Sequence, residues 1–437
     1  MAIVAAFRGL RYNPAEVPDL GVVVAPPYDV ISPQAREALL ARSPHNSVRL
    51  ILEAGADRYA LSARRLAQWR ACGILVRDAE PAFYVVEDHY HVKDATGHDV
   101  ERRRLGLVAL VRIEPPEARV ILPHERTLSG PRADRFHLMS AVNAHLSQVF
   151  LLAPDKDGAF EAWLEKLTAG EPGVSFSEPE GASHRLTCLT DRLVQEEIRA
   201  LLAPRPLLIA DGHHRYETAR AYRDLRRERD GGIRQDGRAP YDYVMATVAS
   251  MDDPGTTVLG YHRVVRKTGL SPEVLRARLE SRFAVTRVAR AGEPAACERL
   301  LTAMCEGASR GETAIGMVLH GDEGLYVASR PKGPGEPILD RLDVSVLHRA
   351  VFEELLGMTE EEVREQRRID YTPDPDLALA RVTVGSHAAA FLLNPTPPGE
   401  VLAVAQAGLV MPQKSTYFYP KLLTGLVFHP MDPGDLL

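Results

Sequence analysis

The sequence predicts a mixed α/β fold of the α+β class. Apolar runs with strand character alternate with stretches of helical periodicity along the whole chain. Hydrophobic residues make up 45% and charged residues 26%, which is typical of a soluble globular protein. A chain of 437 residues is too long for one simple core. We therefore expect an N-terminal α/β region at 1–103, a core at 104–265 and a C-terminal α/β region at 266–437.

The N-terminal region begins with two apolar segments. The second, "LGVVVAPPYDVIS", predicts a strand that enters a Pro-Pro turn and then a helix, with Ser32 as N-cap and Pro33 at the first helical position. Residues 57–72 are predicted to be helical. "AFYVVEDHYHV" and the segment that follows it predict a β-hairpin.

In the middle region, "LGLVALVRI" predicts a buried strand, and the segment after it predicts a loop and then a helix capped by Asp134. Strands are expected at "VFLLAP", "HRLTCLT", 207–210 and "DYVMATVASM", and helices at 157–168, from Asp191 to Leu202, and from near Gly212.

The last third alternates in the same way. It predicts helices at 272–282 and "VSVLHRAVFEELLG", and strands at "TAIGMVLH", "GLYVASR" and "HAAAFLLNP". The tail, "QAGLVMPQKSTYFYPKLLTGLVFHP", is too rich in polar and aromatic residues to predict a disordered end.

Charge, cysteines and hydropathy narrow the class of protein. A net charge of −6 argues against a surface built for bulk nucleic-acid binding. The four cysteines form no CxxC pair and are expected to be small buried hydrophobic residues. No apolar stretch approaches transmembrane length and no basic n-region opens the chain, so we expect a cytoplasmic protein without a membrane partner.

The densest cluster of ionisable groups follows the predicted strand 207–210, where a helix is expected to start. The amide groups of 212–215 would lack intrahelical partners, and Gly212 would let an anion approach the backbone. His213, His214 and Arg215 add donors, and Arg215 could hold a phosphate bidentately. The alternatives are that Asp211 only caps the helix, or that the histidines bind metal, although adjacent histidines point in different directions.

Three further segments carry candidate residues. In "LPHERT", Glu125 is the candidate general base, kept ionised by basic neighbours, with His124 and Arg126 as substrate- or anion-binding residues; the alternative is a solvated charged loop. In "PQKSTYFYPK", the anion-binding candidates are Lys414, Ser415, Thr416 and Lys421. The alternative is that this tail only packs on the core. In "APPYDVIS", Asp29 could bind Mg²⁺ or cap a turn.

Five segments in this order, "APPYDVIS", "HERT", "ADGHHRYETA", "FLLNPT" and "MPQKSTYFYPKLLTGLV", resemble the prokaryotic family called domain of unknown function 1015. "ADGHHR" also resembles the phosphate-binding motif of the ParB/sulfiredoxin-like superfamily, and is most similar to that of its free serine kinases. In those kinases a His-Glu pair upstream supplies the catalytic base, and Pro123-His124-Glu125 is similar to it.

The resemblance implies a ParB/sulfiredoxin-like phosphate-binding core with N- and C-terminal α/β additions. It implies a phosphotransferase that uses ATP or ADP with Mg²⁺ on a small hydroxyl metabolite such as free L-serine. The implied catalytic residues are Glu125, His213 and Asp211; Gly212–Arg215 would hold the phosphates, and Asp29 and Asp211 the metal. The alternatives are a ParB-like nucleic-acid-binding protein, or a nucleotide-binding regulator without turnover. The sequence leaves the oligomeric state open.

Overall fold

Two β-sheets organise the chain. The computed structural model describes residues 1–127, 129–170, 172–179, 181–230, 237–333, 335–364 and 367–432. Within these residues a larger mixed sheet has nine strands and a smaller antiparallel sheet has six. The mixed α/β class predicted from the sequence is therefore confirmed.

The strands of the described residues, in chain order, are β1 (Val4–Ala5), β2 (Leu10–Tyr12), β3 (Leu75–Arg77), β4 (Phe83–Lys93), β5 (Asp99–Arg112), β6 (Ile121–Leu122), β7 (Ala144–His145), β8 (Val149–Ala153), β9 (Gly173–Ser177), β10 (Ser183–Leu189), β11 (Leu207–Asp211), β12 (Tyr243–Ser250), β13 (Thr257–Leu259), β14 (His262–Val265), β15 (Ala284–Arg290), β16 (Glu312–Leu319), β17 (Gly324–Pro331), β18 (Ile369–Thr372), β19 (Ala389–Leu392), β20 (Tyr417–Tyr419) and β21 (His429–Pro430).

The α-helices of the described residues are α1 (Pro33–Arg42), α2 (Val48–Ile51), α3 (Arg58–Ala71), α4 (Ser129–Val142), α5 (Ala159–Thr168), α6 (Arg192–Leu202), α7 (His213–Arg229), α8 (Pro272–Glu280), α9 (Ala296–Ser309), α10 (Asp343–Val346), α11 (Glu360–Arg364), α12 (Pro375–Thr383) and α13 (Pro398–Gln406). A π-helical segment, Leu347–Glu353, continues α10.

The larger sheet runs in the order β6-β11-β8-β12-β5-β4-β10-β9, with β1 beside β5. Strand β12 lies at its centre, parallel to β8 and antiparallel to β5, and every one of its residues is buried. Such a continuous apolar run is expected where both faces of a sheet are covered. Helices α5, α6 and α7 cover one face, and α3 and α4 pack over the other.

The smaller sheet runs in the order β15-β17-β16-β19-β14-β18. Helices α9 and α12 pack on one face, and α8, α10 and α13 on the other. The hydrophobic core on the face covered by α8, α10 and α13 also contains Phe150 and Leu208 of the larger sheet and Phe418 of β20. The two sheets therefore share one hydrophobic core.

The C-terminal segment returns to the larger sheet after α13. Strand β20 pairs with β13, β21 pairs with β7, and Met411 bridges to Glu125. The expectation that this tail is ordered is confirmed up to residue 432; residues 433–437 lie outside the described range. Its path brings residues near 414–421 to the end of β11.

Most predicted elements are present, with three differences in detail. Residues 20–25 form no strand but a 3₁₀ turn at Leu20–Val22 and a single bridge at Ala25. Asp134 does not cap α4, because that helix already begins at Ser129 and a proline in the first turn does not interrupt it. The cysteines are not buried: Cys72 is exposed, and Cys188, Cys297 and Cys305 are half-buried.

The predicted boundary between 103 and 104 falls inside β5, which pairs with β4 on one side and β12 on the other. The larger sheet thus takes strands from both sides of that boundary. Strand β14, which ends at the other predicted boundary, belongs to the smaller sheet. The division into three regions stays a prediction.

Candidate anion-binding active site

The junction between β11 and α7 forms the floor of the candidate site. Gly212 is the N-cap of α7, with a left-handed backbone at φ 89° and ψ 28°. A Cβ atom on Gly212 would lie 3.0 Å from the guanidinium of Arg215, so glycine is needed for its conformation and for the space it leaves. Asp211 directly precedes this N-cap, and its two carboxylate oxygens bond to Arg215 and Lys421. A helix N-terminus at this position favours an anion.

Asp211 holds two cations at this junction. Its Oδ2 accepts a hydrogen bond from Arg215 Nη2 at 2.6 Å, and its Oδ1 accepts one from Lys421 Nζ at 2.9 Å. Burial alone would raise the pKa of Asp211, but Lys421 and Arg215 hold it well below its usual range. Asp211 is therefore a fixed anion that positions both basic side chains.

Arg215 forms hydrogen bonds to two other residues of the protein. Besides its bond to Asp211, its Nη1 donates to the carbonyl oxygen of Gln148, and the residue is only 9% exposed. Each terminal nitrogen of its fork has one partner in the protein, and the bidentate contact of Arg215 with a phosphate stays a prediction. Arg215 also supplies positive charge to the cavity.

His124 and His213 meet behind the cavity with ring centroids 4.6 Å apart. The amide of His124 donates to His213 Nε2 at 3.3 Å, while His124 Nδ1 donates to the carbonyl of Ile209 at 2.8 Å. Burial lowers the pKa of His124 to about 4 and that of His213 well below its ordinary value. Both rings are neutral at pH 7. His213 therefore carries no positive charge toward a phosphate, and its catalytic role stays a prediction.

Glu125 lies beside this histidine pair. Burial raises the pKa of its carboxyl to about 7, although Lys414, through its charge and a backbone hydrogen bond, and Lys421 act in the opposite direction. The expectation that basic neighbours keep Glu125 fully ionised is therefore wrong, because burial outweighs them. A carboxyl with a pKa near neutrality can both take and release a proton at pH 7.

These elements enclose one cavity of about 80 Å³. It is lined by basic, acidic and aromatic side chains together, namely Tyr28, Asp29, Glu125, Arg126, Asp211, His213, His214, Arg215, Tyr261, Lys414, Thr416, Tyr417 and Lys421. The structure thus brings together most of the residues predicted from four separate segments. The cavity has room for a phosphate-sized group.

Two predicted residues do not line the cavity. His124 is fully buried, and its Nε2 lies 3.1 Å from the hydroxyl of Thr416. Ser415 is buried as well, and its hydroxyl donates to the carbonyl of Pro412. Both residues hold the backbone around the cavity and do not reach it.

Two tyrosines of an aromatic wall, Tyr28 and Tyr261, and one buried cation were not among the predicted site residues. Tyr28, Tyr261 and Tyr417 line the cavity, and Lys421 Nζ lies 4.4 Å from the centroid of the Tyr417 ring. Arg263, which is fully buried, donates to the carbonyl of Lys414 at 3.1 Å and so fixes that loop. Each tyrosine stands next to or near a charged motif residue in the sequence, which is a signal that could have identified them.

The predicted metal ligands do not form a metal site by themselves. Asp211 already pairs with two cations, and Asp29 is exposed at the mouth of the cavity. Among the described residues, no three histidine, cysteine, aspartate or glutamate side chains are grouped as metal ligands. The residues present therefore do not fit a Mg²⁺ ion held by the protein alone.

The arginine-rich face of α7 is largely paired within the protein. Arg220 binds Glu217, Arg223 binds Asp224 and the carbonyl of Ile113, and Arg227 binds Asp242. Guanidinium groups held in this way are poorly placed to neutralise a nucleic-acid backbone. In the part of the chain that the structure describes, no helix has the length and apolarity to span a membrane.

Comparisons with known proteins give a family match. A family described as "Protein of unknown function (DUF1015)" matches residues 4–345, so the segment with Lys414 and Lys421 lies beyond the matched part. No curated protein matches the chain.

Several solved structures are similar at low identity. They include a conserved hypothetical protein from Pyrococcus furiosus (15% identity, 68% of this chain and 87% of that one, TM-score 0.33), free serine kinase in complex with AMP (16% identity, 68% and 83%, TM-score 0.33), and SbnI with a C-terminal truncation from Staphylococcus aureus (13% identity, 74% and 87%, TM-score 0.33). Similarity at this level does not establish a shared fold, and the ParB/sulfiredoxin-like core stays a prediction.

Proposed function

The chain belongs to the DUF1015 family of proteins of unknown function, and from the chemistry of its cavity we propose that it is a nucleotide-dependent phosphotransferase. Its acceptor is a small hydroxyl metabolite, with free L-serine as the first candidate. One observation carries the proposal: Glu125, a carboxyl with a pKa near 7, lines the same cavity as a helix N-terminus and two lysines. A proton acceptor and a phosphate-binding surface are the two components that phosphoryl transfer needs.

The phosphate end of the reaction is assigned to the start of α7. Residues of its first turn line the cavity, and the helix dipole favours an anion there. Lys414 and Arg126 add positive charge at the walls, and Lys421 and Arg215 add it beneath. A cavity of about 80 Å³ holds phosphoryl groups, and the nucleoside of ATP or ADP would extend beyond it.

Glu125 is assigned as the general base. The acceptor oxygen attacks the terminal phosphorus, and its proton passes to the Glu125 carboxylate. The bond between that phosphorus and the bridging oxygen breaks, and its electron pair stays on the oxygen of the departing, shorter nucleotide. The amides of α7 and Lys414 balance the charge on the transferring group. The reverse reaction uses the same groups, with Glu125 returning the proton. No step is assigned to a metal ion, because the residues present do not hold one.

The serine assignment is supported by the resemblance of "ADGHHR" and of Pro123-His124-Glu125 to the motifs of free serine kinases. The test incubates purified protein with Mg²⁺, ATP or ADP, and L-serine, and measures O-phosphoserine by mass spectrometry. Glu125→Gln should lower the turnover by about 10²–10⁴-fold, the usual contribution of a general base. Glu117→Gln, an exposed glutamate on another loop, is the matched control and should keep full activity.

Full turnover by Glu125→Gln would contradict the assignment of the base. If nucleotide raises the melting temperature but no hydroxy acid or amino acid in a panel is phosphorylated, the protein is a nucleotide-binding regulator. Binding to DNA that weakens steeply with salt would favour the ParB-like alternative.

A further inference from the structure

A second cavity adjoins the anion-binding cavity on the far side of Glu125. Its volume is about 330 Å³, and it shares Glu125, Arg126 and His213 with the first cavity. The remaining lining residues are Pro123, Thr127, Ile209, Glu217 and Val410. Because the two cavities meet at Glu125, a molecule in the second one can present a hydroxyl to that carboxyl.

The second cavity has walls of opposite charge. Arg126, which is exposed, contributes a guanidinium from the loop after β6. Glu217 contributes a carboxylate from α7, one helical turn beyond His213 and on the same face. Its Oε2 accepts a hydrogen bond from Arg220 at 2.7 Å, which fixes the side chain. Ile209 and Val410 add an apolar part to the same lining.

We propose that this second cavity is the acceptor subsite and that it selects a zwitterionic amino acid. The carboxylate of the acceptor pairs with Arg126, its ammonium pairs with Glu217, and its side-chain hydroxyl meets Glu125. A positive and a negative wall flanking a proton acceptor match the three polar groups of a short β-hydroxy amino acid. The apolar part of the lining leaves the acceptor's carbon chain without polar partners. This assignment rests on the proposed function only for the chemistry that follows binding.

The test is direct binding by calorimetry, without nucleotide, of three probes. L-serine carries both charges, L-glycerate has a hydroxyl in place of the ammonium, and L-serinamide lacks the carboxylate. The wild type should bind L-serine at least about tenfold more tightly than either analogue, as expected when one charged hydrogen bond is lost.

Two variants separate the two charged walls. Glu217→Gln should weaken the binding of L-serine by about tenfold and leave that of L-glycerate unchanged, because only the ammonium contact is lost. Arg126→Gln should weaken the binding of L-serine and L-glycerate alike and leave that of L-serinamide unchanged. Glu228→Gln, which changes an exposed glutamate near the end of the same helix, is the control and should match the wild type.

The outcomes separate this inference from the proposed function. If Glu217→Gln keeps the wild-type preference for L-serine over L-glycerate, the subsite assignment is overturned even where phosphate transfer occurs. If the wild type shows the charge-dependent binding but transfers no phosphate, the subsite stands and the proposed reaction fails. If the wild type binds none of the three probes, the assignment is overturned as well.

Discussion

At the scale of single residues, burial and nearby charges give the two carboxylates of the cavity different pKa values. Asp211 sits between Arg215 and Lys421 and stays ionised. Glu125 is buried without such a pair, and its pKa rises to about 7. Two carboxylates in one cavity with pKa values driven apart mark a division between a fixed anion and a proton acceptor.

This division predicts the pH dependence of the reaction. Glu125 must be ionised to accept a proton, so kcat/KM should rise about tenfold per pH unit below neutrality and level off above a midpoint near 7. Because Lys414 lowers the pKa of Glu125, Lys414→Met should move that midpoint upward. Lys166→Met, at an exposed position on α5, should leave it in place. A flat profile from pH 6 to 8 would exclude Glu125 as the base.

Gly212 predicts a stability effect that can be compared with a matched glycine. Gly212 and Gly158 are both left-handed N-caps of helices, but a Cβ on Gly158 would meet nothing within 4 Å. Gly158→Ala should therefore lower the free energy of unfolding only by the left-handed backbone strain, about 1–2 kcal/mol. Gly212→Ala should lower it further, because the added Cβ also crowds the guanidinium of Arg215. Urea denaturation measures both variants, and equal losses would show that the contact with Arg215 does not matter.

At the scale of elements, the C-terminal segment completes the cavity. The carbonyl of Pro420, next to Lys421, accepts a hydrogen bond from Arg104 Nη1 at 2.9 Å. Arg104 is 1% exposed and pairs with Asp88, which in turn contacts His184 Nδ1 at 2.8 Å. A chain of buried charges on β5, β4 and β10 therefore holds the segment that carries Lys421.

His184 makes this connection testable. Burial opposes its charged form, but hydrogen bonds to Asp88 and Glu178 raise the pKa of His184 to about 9. A histidine with a raised pKa in the folded state stabilises that state below its unfolded pKa, about 6.5, and this contribution is lost as the pH rises through about 9.

His184→Asn should therefore lower the free energy of unfolding by about 3 kcal/mol at pH 6 and by much less at pH 9.5. Urea denaturation at the two pH values measures the difference, with the exposed His98→Gln as control. A loss that is the same at both pH values would show that His184 is not charged in the folded protein.

At the scale of the whole molecule, one core spans both sheets and the candidate site lies against it. Phe150 and Leu208 of the larger sheet share that core with Phe391 of the smaller one and with Phe418 beside the cavity. Disturbing either sheet should therefore affect the site. The same dense packing leaves several histidines buried and neutral.

Those histidines predict loss of stability in acid. Burial lowers the pKa of His124 and His145 to about 4 and that of His262 and His348 to about 3. Below about pH 6.5 the unfolded chain binds protons on these histidines and the folded chain does not. Each histidine should therefore lower the free energy of unfolding by about 1.4 kcal/mol for each unit that the pH falls. The melting temperature should drop steeply between pH 6.5 and 5.

A single variant isolates one histidine from the rest. His145→Phe keeps a ring beside His429, whose own ring lies 5.8 Å away, and removes one titrating group. Its free energy of unfolding should depend on pH less steeply than that of the wild type, by about 1.4 kcal/mol per pH unit. A wild-type stability that is constant from pH 7.5 to 5 would contradict this account.

The sequence by itself determined the local features of this protein. Helix α3, the β4–β5 hairpin, helix α6 and the change from β11 to α7 follow from periodicity and capping residues, which act over a few neighbouring positions. The same local signals identified Asp211–Arg215, Glu125 and Lys421 as candidates. They misjudged the start of α4 and the strand at 20–25, where local preferences are weak.

Only the tertiary structure decided what those candidates do. The pairing of Lys421 with Asp211 joins residues 210 positions apart, and the contact of Arg215 with Gln148 spans 67. Burial raises the pKa of Glu125 and lowers those of His124 and His213. The C-terminal segment contributes contacts there, since Met411 bridges to Glu125 and the Thr416 hydroxyl lies 3.1 Å from His124 Nε2. A residue's type sets the chemistry open to it, but its charge state and free hydrogen bonds depend on neighbours that long-range packing supplies.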